Sequence, residues 1–422
     1  MSSRPAENLL PKSFNPEPGV AARSGWLEER RARALQAFRA RGIPHRRMEE
    51  WKYSDLRNAL DAEPGDSGEV ISSGLHDPFA AIAGPRLVIR DGNPDERPAG
   101  LPENIEILDL AEIDENAPLW VSRCLGSALK SGMGEASLAL MQGGVAIRVA
   151  RGTSAVLHLR FVQSVESVHA RVLIEVDEGA SLLLFESLGG MRGVTNLGVE
   201  ILLRPNAQVR HVRLADSAPG AVIVEEVGVA VARDARYQAH LPQAGARLSR
   251  VELAVKLEGE GAEAALDGAG VLAGRLHADV TTHIEHAAGR TASKQLFKYI
   301  VGGHSRAVYQ GRISVHKGAD GSDSRQTAKA ILAGERAEAD LKPELEILAD
   351  DVKCAHGAAV GDLDADSLFY LRARGIPEAE ARELLVRAFL EETVAGITDE
   401  NIRSTVWHFI ENRLPEALDE AA

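Results

Sequence analysis

The sequence predicts a mainly β protein whose core is a right-handed parallel β-helix solenoid, with α-helical segments at both ends. A short turn pattern recurs at a nearly constant spacing in the middle of the chain. Between these turns apolar and polar residues alternate as in strands, whereas both ends of the chain show helical spacing. A regular repeat of this length is typical of solenoids, in which each coil buries its apolar face against its neighbours.

The composition limits the class of protein. The 422 residues include 48 Lys and Arg against 62 Asp and Glu, which gives a formal net charge of −14. An acidic chain without a basic block argues against nucleic acid or an anionic membrane as the main partner. No run of about 18 apolar residues occurs, and residues 1–25 lack the apolar stretch of a secretory signal. We therefore expect a cytoplasmic protein that does not associate with membranes.

The beginning of the chain is predicted to be an N-terminal helical segment, over residues 1–65. Residues 26–41 are rich in charge and have helical spacing. Gly42 and then Pro44 follow them, which is the usual order of helix stop signals.

A stretch of linker and edge elements is predicted next, over residues 66–134. Gly, Pro, Asp and Ser are frequent in its first part, which indicates turns and irregular structure. ArgLeuValIleArg at 86–90 is its one strand candidate.

The β-helix core is predicted over residues 135–360. Six turn segments follow each other at spacings of 27, 27, 28, 27 and 28 residues, and strand-like runs at 155–162, 171–176, 199–203 and 250–257 lie between them. Two or three short strands per unit fit a coil of a β-helix better than a helical repeat. The residues that mark the turns are Gly152, Gly179, Asn206, Asp234, Gly261 and Gly289.

A C-terminal helical domain is predicted over residues 361–422. One helix is expected at 366–374, a second from Pro377 onward, and a third at 399–413 with Thr398 as its cap. The second helix has an apolar stripe that would dock either on the solenoid or on a partner. The stripe consists of Leu384, Leu385, Ala388 and Phe389.

Three histidines close together in the sequence, His277, His283 and His286, resemble a metal-ligand cluster. Neither H-E-x-x-H nor H-x-x-E-H is present, however. On a strand, His283 and His286 would also point to opposite faces. We therefore favour solvated or hydrogen-bonded histidines over a metal site.

The best candidate for chemistry is the pair Cys354 and His356. On a strand, residues two apart point to the same face, so a thiolate and an imidazole could meet one soft metal ion. Iron–sulfur clusters normally have about four protein ligands, so a cluster here would need a second chain. The alternative is a buried structural cysteine beside an interface histidine.

Several motifs are similar to those of the SufB/SufD family, the non-ATPase subunits of the SufBCD iron–sulfur cluster assembly system, and the resemblance covers nearly the whole chain. The chain length, the absence of an N-terminal cysteine cluster and the Lys-Cys-x-His-Gly sequence favour the SufD branch. The main matching segments are GluGluTrpLysTyrSerAspLeu (49–56), ProGluLeuGluIle (343–347), AspAspValLysCysAlaHisGly (350–357), LeuPheTyrLeuArgAlaArgGlyIle (368–376) and AlaArgGluLeuLeuValArgAlaPhe (381–389), with weaker agreement at 283–286 and 309–313.

The resemblance implies a SufB-like solenoid chain as partner and a SufC-like ABC ATPase docked on the C-terminal helices. It also implies that His356 lies where the two solenoids meet and takes part in assembling a transient iron–sulfur cluster, with Cys354 beside it as a ligand or a structural residue. Whether reduced flavin binds the complex is left open. The expected docking residues are Leu368, Phe369, Tyr370, Leu384, Leu385 and Phe389.

We thus expect a non-catalytic scaffold subunit that depends on a partner ATPase. The chain has no G-x-x-x-x-G-K-[ST] loop, so we expect no direct ATP binding. A structural homodimer joined through solenoid edges is the alternative, since open strand edges favour pairing. A β-helix polysaccharide lyase is a weaker alternative, because such enzymes use aromatic platforms and only 18 of the 422 residues are Phe, Trp or Tyr.

Overall fold

The computed structural model describes residues 12–14, 23–61, 77–95, 98, 100–189 and 193–419. Within these residues the chain forms a parallel β-solenoid of about 8 turns, with helices towards both termini. This confirms the predicted fold class. Each coil contributes two strands, one to each of two sheets, which agrees with the predicted two or three, although most strands are longer than expected. Strands two apart in sequence therefore lie side by side.

In the part of the chain that the structure describes, the first sheet has 10 strands and the second has 9. From the C-terminal end, the first contains β19 (Val352–Gly361), β17 (Ser322–Leu332), β15 (Ala292–Val301), β13 (Glu263–Leu272), β11 (Arg236–His240), β9 (Gln208–Asp216), β7 (Ser181–Gly189), β5 (Ser154–Val162), β1 (Arg86–Arg90) and β2 (Asn93–Pro94). The second contains β18 (Glu338–Ile347), β16 (Arg306–Val315), β14 (His277–His286), β12 (Leu248–Leu257), β10 (Val222–Val231), β8 (Val194–Leu203), β6 (Ser167–Val176), β4 (Gly143–Val149) and β3 (Ile105–Asp109).

The helices flank the solenoid on both sides. No helix among the described residues is both long and apolar enough to cross a membrane. Short 3-10 turns also occur at Lys12–Phe14 and Glu49–Trp51. The α-helices are α1 (Gly25–Arg41), α2 (Leu56–Asp61), α3 (Leu119–Cys124), α4 (Gly132–Ala139), α5 (Ala365–Ala373), α6 (Glu378–Glu391), α7 (Glu400–Glu411) and α8 (Leu414–Asp419).

The recurring turn residues form one corner of the solenoid, where the chain passes from the second sheet to the first. The first five have left-handed backbone φ angles between 57° and 73°, which glycine, asparagine and aspartate adopt most easily. At the sixth turn the left-handed residue is Arg290, one position after Gly289. Each left-handed residue donates its N–H to a carbonyl of the next corner, as Asn206 does to Arg233 at 3.0 Å.

The helical ends cover the outer faces of the two sheets. Apolar residues of α1, α3 and α4 pack on the second sheet, and those of α6 to α8 pack on the first. The buried face of α6 consists of Ala381, Val386 and Leu390, whereas Leu384 is exposed, so the predicted stripe is shifted around the helix. Asp399, and not Thr398, caps α7, because its carboxylate accepts the N–H groups of Asn401 and Ile402.

Residues 49–56 fasten the N-terminal segment to the solenoid wall. The Arg250 guanidinium lies 4.2 Å from the ring centre of Trp51 and forms a buried ion pair with Asp279. Ser54 donates a hydrogen bond to the same Asp279 carboxylate and also contacts His277. This motif is therefore a contact between the helical segment and several coils.

The interior of the solenoid, which we call the lumen, is mostly aliphatic but contains one charged cluster. Glu186, His211, Arg213, Glu225 and Tyr237 are all buried there. Arg213 pairs with Glu225, and His211 lies 3.0 Å from Glu186 and 3.1 Å from the Tyr237 hydroxyl. Burial raises the pKa of Glu225 to about 8, against the effect of Arg213, and lowers the pKa of His211 to about 4.

Replacing Arg290 by glycine should increase the free energy of unfolding by about 1 kcal/mol, because glycine adopts the left-handed conformation without strain. Urea unfolding measures this change. Lys256→Gly in β12 is the matched control, since both side chains form only an exposed ion pair. This control should lower stability by roughly 0.5–1 kcal/mol. A loss of stability in both variants would contradict the role assigned to the corner.

Glu225→Gln should change how stability depends on pH. Because the folded pKa of Glu225 is raised, the native state holds a proton that the unfolded state releases between about pH 4.5 and 8. The free energy of unfolding of the wild type should therefore fall relative to that of the glutamine variant as pH rises through this window, by up to about 1.4 kcal/mol per pH unit. Arg213, Glu186 and His211 face this carboxyl in both proteins.

Urea unfolding of both proteins at several pH values measures the difference. Above about pH 7.5 His211 is neutral in the folded and the unfolded state, and below that pH its titration in the unfolded chain is common to both proteins. A constant stability difference between pH 5 and 8 would contradict the buried, protonated Glu225.

Candidate functional site

The two ends of the solenoid differ. At the N-terminal end the antiparallel strands β2 and β3 form the outermost members of the two sheets. At the C-terminal end β18 and β19 are outermost, each 10 residues long and, among the described strands, each paired on one side only. The backbone groups on their other side are free to pair with a further strand.

The last coil also exposes apolar side chains. Ile347, Leu348 and Val360 are 42%, 63% and 46% exposed, respectively. β19 carries a single charged residue, Lys353, and is otherwise rich in Gly and Ala. A strand of mostly small residues with a free edge allows another backbone to approach closely.

Cys354 and His356 lie on β19 and share one face of it. Cys354 is in register with Ser324 of β17, and His356 is in register with Gln326. Ser324 and Gln326 are buried and alternate with more exposed neighbours, so this face of β17 points into the lumen. The two predicted residues therefore belong to the inner face of the last coil. They lie at the open C-terminal end of the lumen, bounded by β18 and β19, which we call the mouth.

The environments of the two side chains differ. Cys354 is half-buried and packs against Ile313, Val315 and Ala319, whereas His356 is exposed. Partial burial, together with the nearby Asp323 carboxylate, raises the pKa of the Cys354 thiol. A metal ion would have to displace this proton, because the thiolate is the form that binds metals.

This chain supplies only part of a metal site. Among the described residues, no group of three or more His, Cys, Asp or Glu side chains is arranged to hold a metal ion. One sulfur and one nitrogen donor match the ligand types that iron and iron–sulfur clusters accept. The remaining ligands would have to come from another molecule that covers the mouth.

Two hydrogen-bonded groups of polar residues lie in the lumen next to this pair, and the sequence analysis did not identify them as related to it. Under Cys354, Ser324 contacts Ser293 at 2.6 Å, and Ser293 contacts His286 at 2.9 Å. Under His356 the group consists of Gln326, Tyr309, Gln295 and Thr282, none of them more than 1% exposed. The alternation of polar residues at 322, 324 and 326 was the available sequence signal for these groups. It could be interpreted only once the register of β17 with β19 was known.

The three histidines of β14 are hydrogen-bonded, as favoured above. His277 contacts the Ser54 hydroxyl at 2.9 Å. His286 is buried between Thr291 and Ser293, and His283 lies on the opposite face, 3.1 Å from Ser314. The alternation of buried and half-buried residues along β14 agrees with the predicted faces.

The predicted docking residues fall into three groups. Phe369, Tyr370 and Leu384 are 74%, 56% and 43% exposed. Leu368 and Leu385 are half-buried. Phe389 faces the solenoid instead, with the Lys298 ammonium 4.5 Å from its ring centre. No residue of α5 is buried, and the side of this helix that carries Phe369 and Tyr370 is exposed.

Two family models match the chain. The SufBD core domain of the SUF system for FeS cluster assembly matches residues 160–389, which is more than half of the chain. The SufBD protein N-terminal region matches residues 20–67. The first match spans the solenoid from β5 to α6, including Cys354 and His356.

Relatives with curated descriptions agree with these matches. The iron–sulfur cluster assembly protein SufD of Escherichia coli is 30% identical over 90% of this chain and 92% of its own length. An iron–sulfur cluster assembly SufBD family protein of Synechocystis is 28% identical over 88% of this chain and 87% of the relative. One from Mycobacterium tuberculosis is 29% identical over 58% of this chain and 63% of the relative.

Proposed function

Because the chain belongs to the SufBD family of iron–sulfur cluster assembly proteins, we propose that it is a non-catalytic scaffold subunit of such an assembly system. It pairs with a SufB-like solenoid at the mouth of its own solenoid and carries a SufC-like ABC ATPase on its C-terminal helices. A nascent iron–sulfur cluster, the cargo of the system, is held at the mouth between Cys354, His356 and ligands of the partner. The register that brings both residues to an unpaired edge carries this proposal.

The free edge supports pairing with another solenoid. β18 and β19 are long, adjacent in space and unpaired on the same end of the molecule. A second solenoid with a similar open end would satisfy these backbone groups and cover Ile347, Leu348 and Val360 together. The same contact would remove water from the mouth. Water there would otherwise compete with the protein ligands for the metal ion.

The donor pair supports cluster assembly rather than permanent storage of a metal. Two protein ligands are about half of what a stable cluster needs, so a cluster bound across two chains is released when the chains separate. The raised pKa of the Cys354 thiol acts in the same direction, because the protonated thiol does not retain metal.

The C-terminal helices support docking of an ATPase. α5 has exposed aromatic side chains at Phe369 and Tyr370, while α6 to α8 are packed on the first sheet. A protein docked on α5 and α6 would therefore be connected mechanically to coils close to the mouth. Because the sequence has no phosphate-binding loop, nucleotide chemistry is assigned to the partner.

Pairing of two copies of this chain is the competing function. The free edge of β19 does not by itself distinguish a homologous partner from a second copy. Such a homodimer would bring two Cys354 and two His356 side chains to one interface. Co-purification from the native cells under anaerobic conditions, followed by intact mass measurement, separates the two cases.

His356→Ala should leave the complex assembled but lower its iron and sulfide content about tenfold or more, because one cluster ligand is lost. Iron and sulfide are measured on the complex purified without oxygen. The control is His304→Ala, another histidine outside the mouth that forms only an exposed contact with Arg336. Normal iron and sulfide content in the His356 variant would refute the assigned role.

Phe369→Ser combined with Tyr370→Ser should weaken binding of the ATPase by about 30-fold or more, because exposed aromatic residues often dominate the binding energy of an interface. Calorimetric titration of the purified partners measures the affinity. Point variants are preferable to deletion of 361–422, since deletion would uncover Val212, Leu214 and Ile300 on the first sheet.

Leu119→Ser is the matched control, because Leu119 is 68% exposed but lies on α3 in the N-terminal part. It should bind the ATPase like the wild type. Equal affinities for all three proteins would place the docking site elsewhere.

A further inference from the structure

Gln326 lies directly below His356 in the lumen. The two residues are register partners on neighbouring strands, so their Cα atoms are separated by one strand spacing, about 4.8 Å. Gln326 is only 1% exposed, and its Oε1 atom has no hydrogen-bond partner. A buried carbonyl oxygen without a donor is costly, and a native structure normally satisfies it.

The orientation of the Gln326 amide follows from its neighbours. In the structure the Tyr309 hydroxyl donates to Gln295 Oε1 at 3.1 Å and accepts from Gln326, and Gln295 Nε2 is left buried without a partner. Gln326 Nε2 donates to the Tyr309 hydroxyl at 2.8 Å, which leaves Oε1 as the free atom of the amide. Position 311 is glycine, and a Cβ atom there would clash with both Gln326 Nε2 and the Tyr309 hydroxyl.

The side chain above Gln326 is the donor that could satisfy this oxygen. His356 is the residue of the last coil on the same face, and its neutral ring carries one N–H. Cys354, two residues away, is stacked on Ser324 instead. Ala358, the next residue on this face of β19, has no hydrogen-bond donor in its side chain.

We propose that Gln326 is a positioning residue for His356: its Oε1 accepts the N–H of one ring nitrogen and so directs the other nitrogen towards the mouth. This inference deepens the proposed function and rests on it for its consequence in cluster assembly. A histidine that binds a metal usually donates its second ring N–H to such an acceptor, which fixes its tautomer and orientation. Tyr309 and Gln295 in turn hold Gln326, so the supporting group extends two coils into the lumen.

Nitrogen NMR of the full chain labelled with 15N-histidine tests the hydrogen bond directly. The His356 signals are assigned by their loss in His356→Ala. At about pH 8, where a free imidazole is neutral, wild-type His356 should populate one tautomer predominantly. Gln326→Met keeps the shape of the side chain but removes the acceptor. In this variant the His356 ring should show the mixture of the two tautomers that a free imidazole has.

Two further variants separate positioning from a general effect on the fold. Gln326→Glu should keep the wild-type tautomer, because a carboxyl oxygen at this position can still accept the ring N–H of His356. Gln243→Met should have no effect on His356. Gln243 is also a buried glutamine, 2% exposed, but lies in a coil nearer the N-terminal end.

The iron and sulfide content of the purified complex then relates the hydrogen bond to assembly. Gln326→Met should lower it about tenfold, with Gln326→Glu restoring it. Identical tautomer ratios in wild type and Gln326→Met would overturn the inference, even if His356→Ala loses its cluster. If the ratios differ but His356→Ala retains normal iron and sulfide, the hydrogen bond stands and the proposed function fails.

Discussion

The parallel pairing of successive coils is the constraint on which the rest of this structure depends. Each strand of the solenoid satisfies its backbone groups only through the strands of the coils before and after it. The side chains are thereby stacked in register, so that from β4 onward a residue's neighbours on adjacent coils are those about 26 to 32 positions away. This stacking explains both the aliphatic lumen and the polar groups in it. It also means that the last coil must leave one edge unpaired, and this edge carries Cys354 and His356.

The helical segments bury the outer faces of the two sheets. The two sheets would expose broad apolar outer faces without the N-terminal helices on one side and α6 to α8 on the other. The Trp51 contact with Arg250 and the packing of Val386 and Leu390 are both of this kind. Because these helices cover the sides and not the C-terminal end, the mouth stays accessible while the body of the solenoid is closed.

Most of the fold could be predicted from the sequence because its signals are local. Gly152, Gly179 and Asn206 mark the corner since a left-handed backbone selects these residue types. The buried face of α6 could not be predicted, because Leu384 and Val386 are equally apolar and only the solenoid surface decides which is covered.

The pairing of Cys354 with His356 followed from their spacing, whereas the roles of Gln326 and Tyr309 depend on register across coils. The charged lumen cluster around Arg213 was missed for the same reason, since alternation alone does not say which face is inside.

The terminal coil also has a kinetic property that follows from its having one neighbour. In a solenoid the free energy of opening a coil is the sum of its own stability and its contacts with adjacent coils, so an end coil opens more easily than an interior one. The amide hydrogens of β18 and β19 should thus exchange with solvent faster than those of β10 or β12. A site placed on such a coil is the most readily deformed part of the solenoid, and anything that binds the free edge makes it rigid.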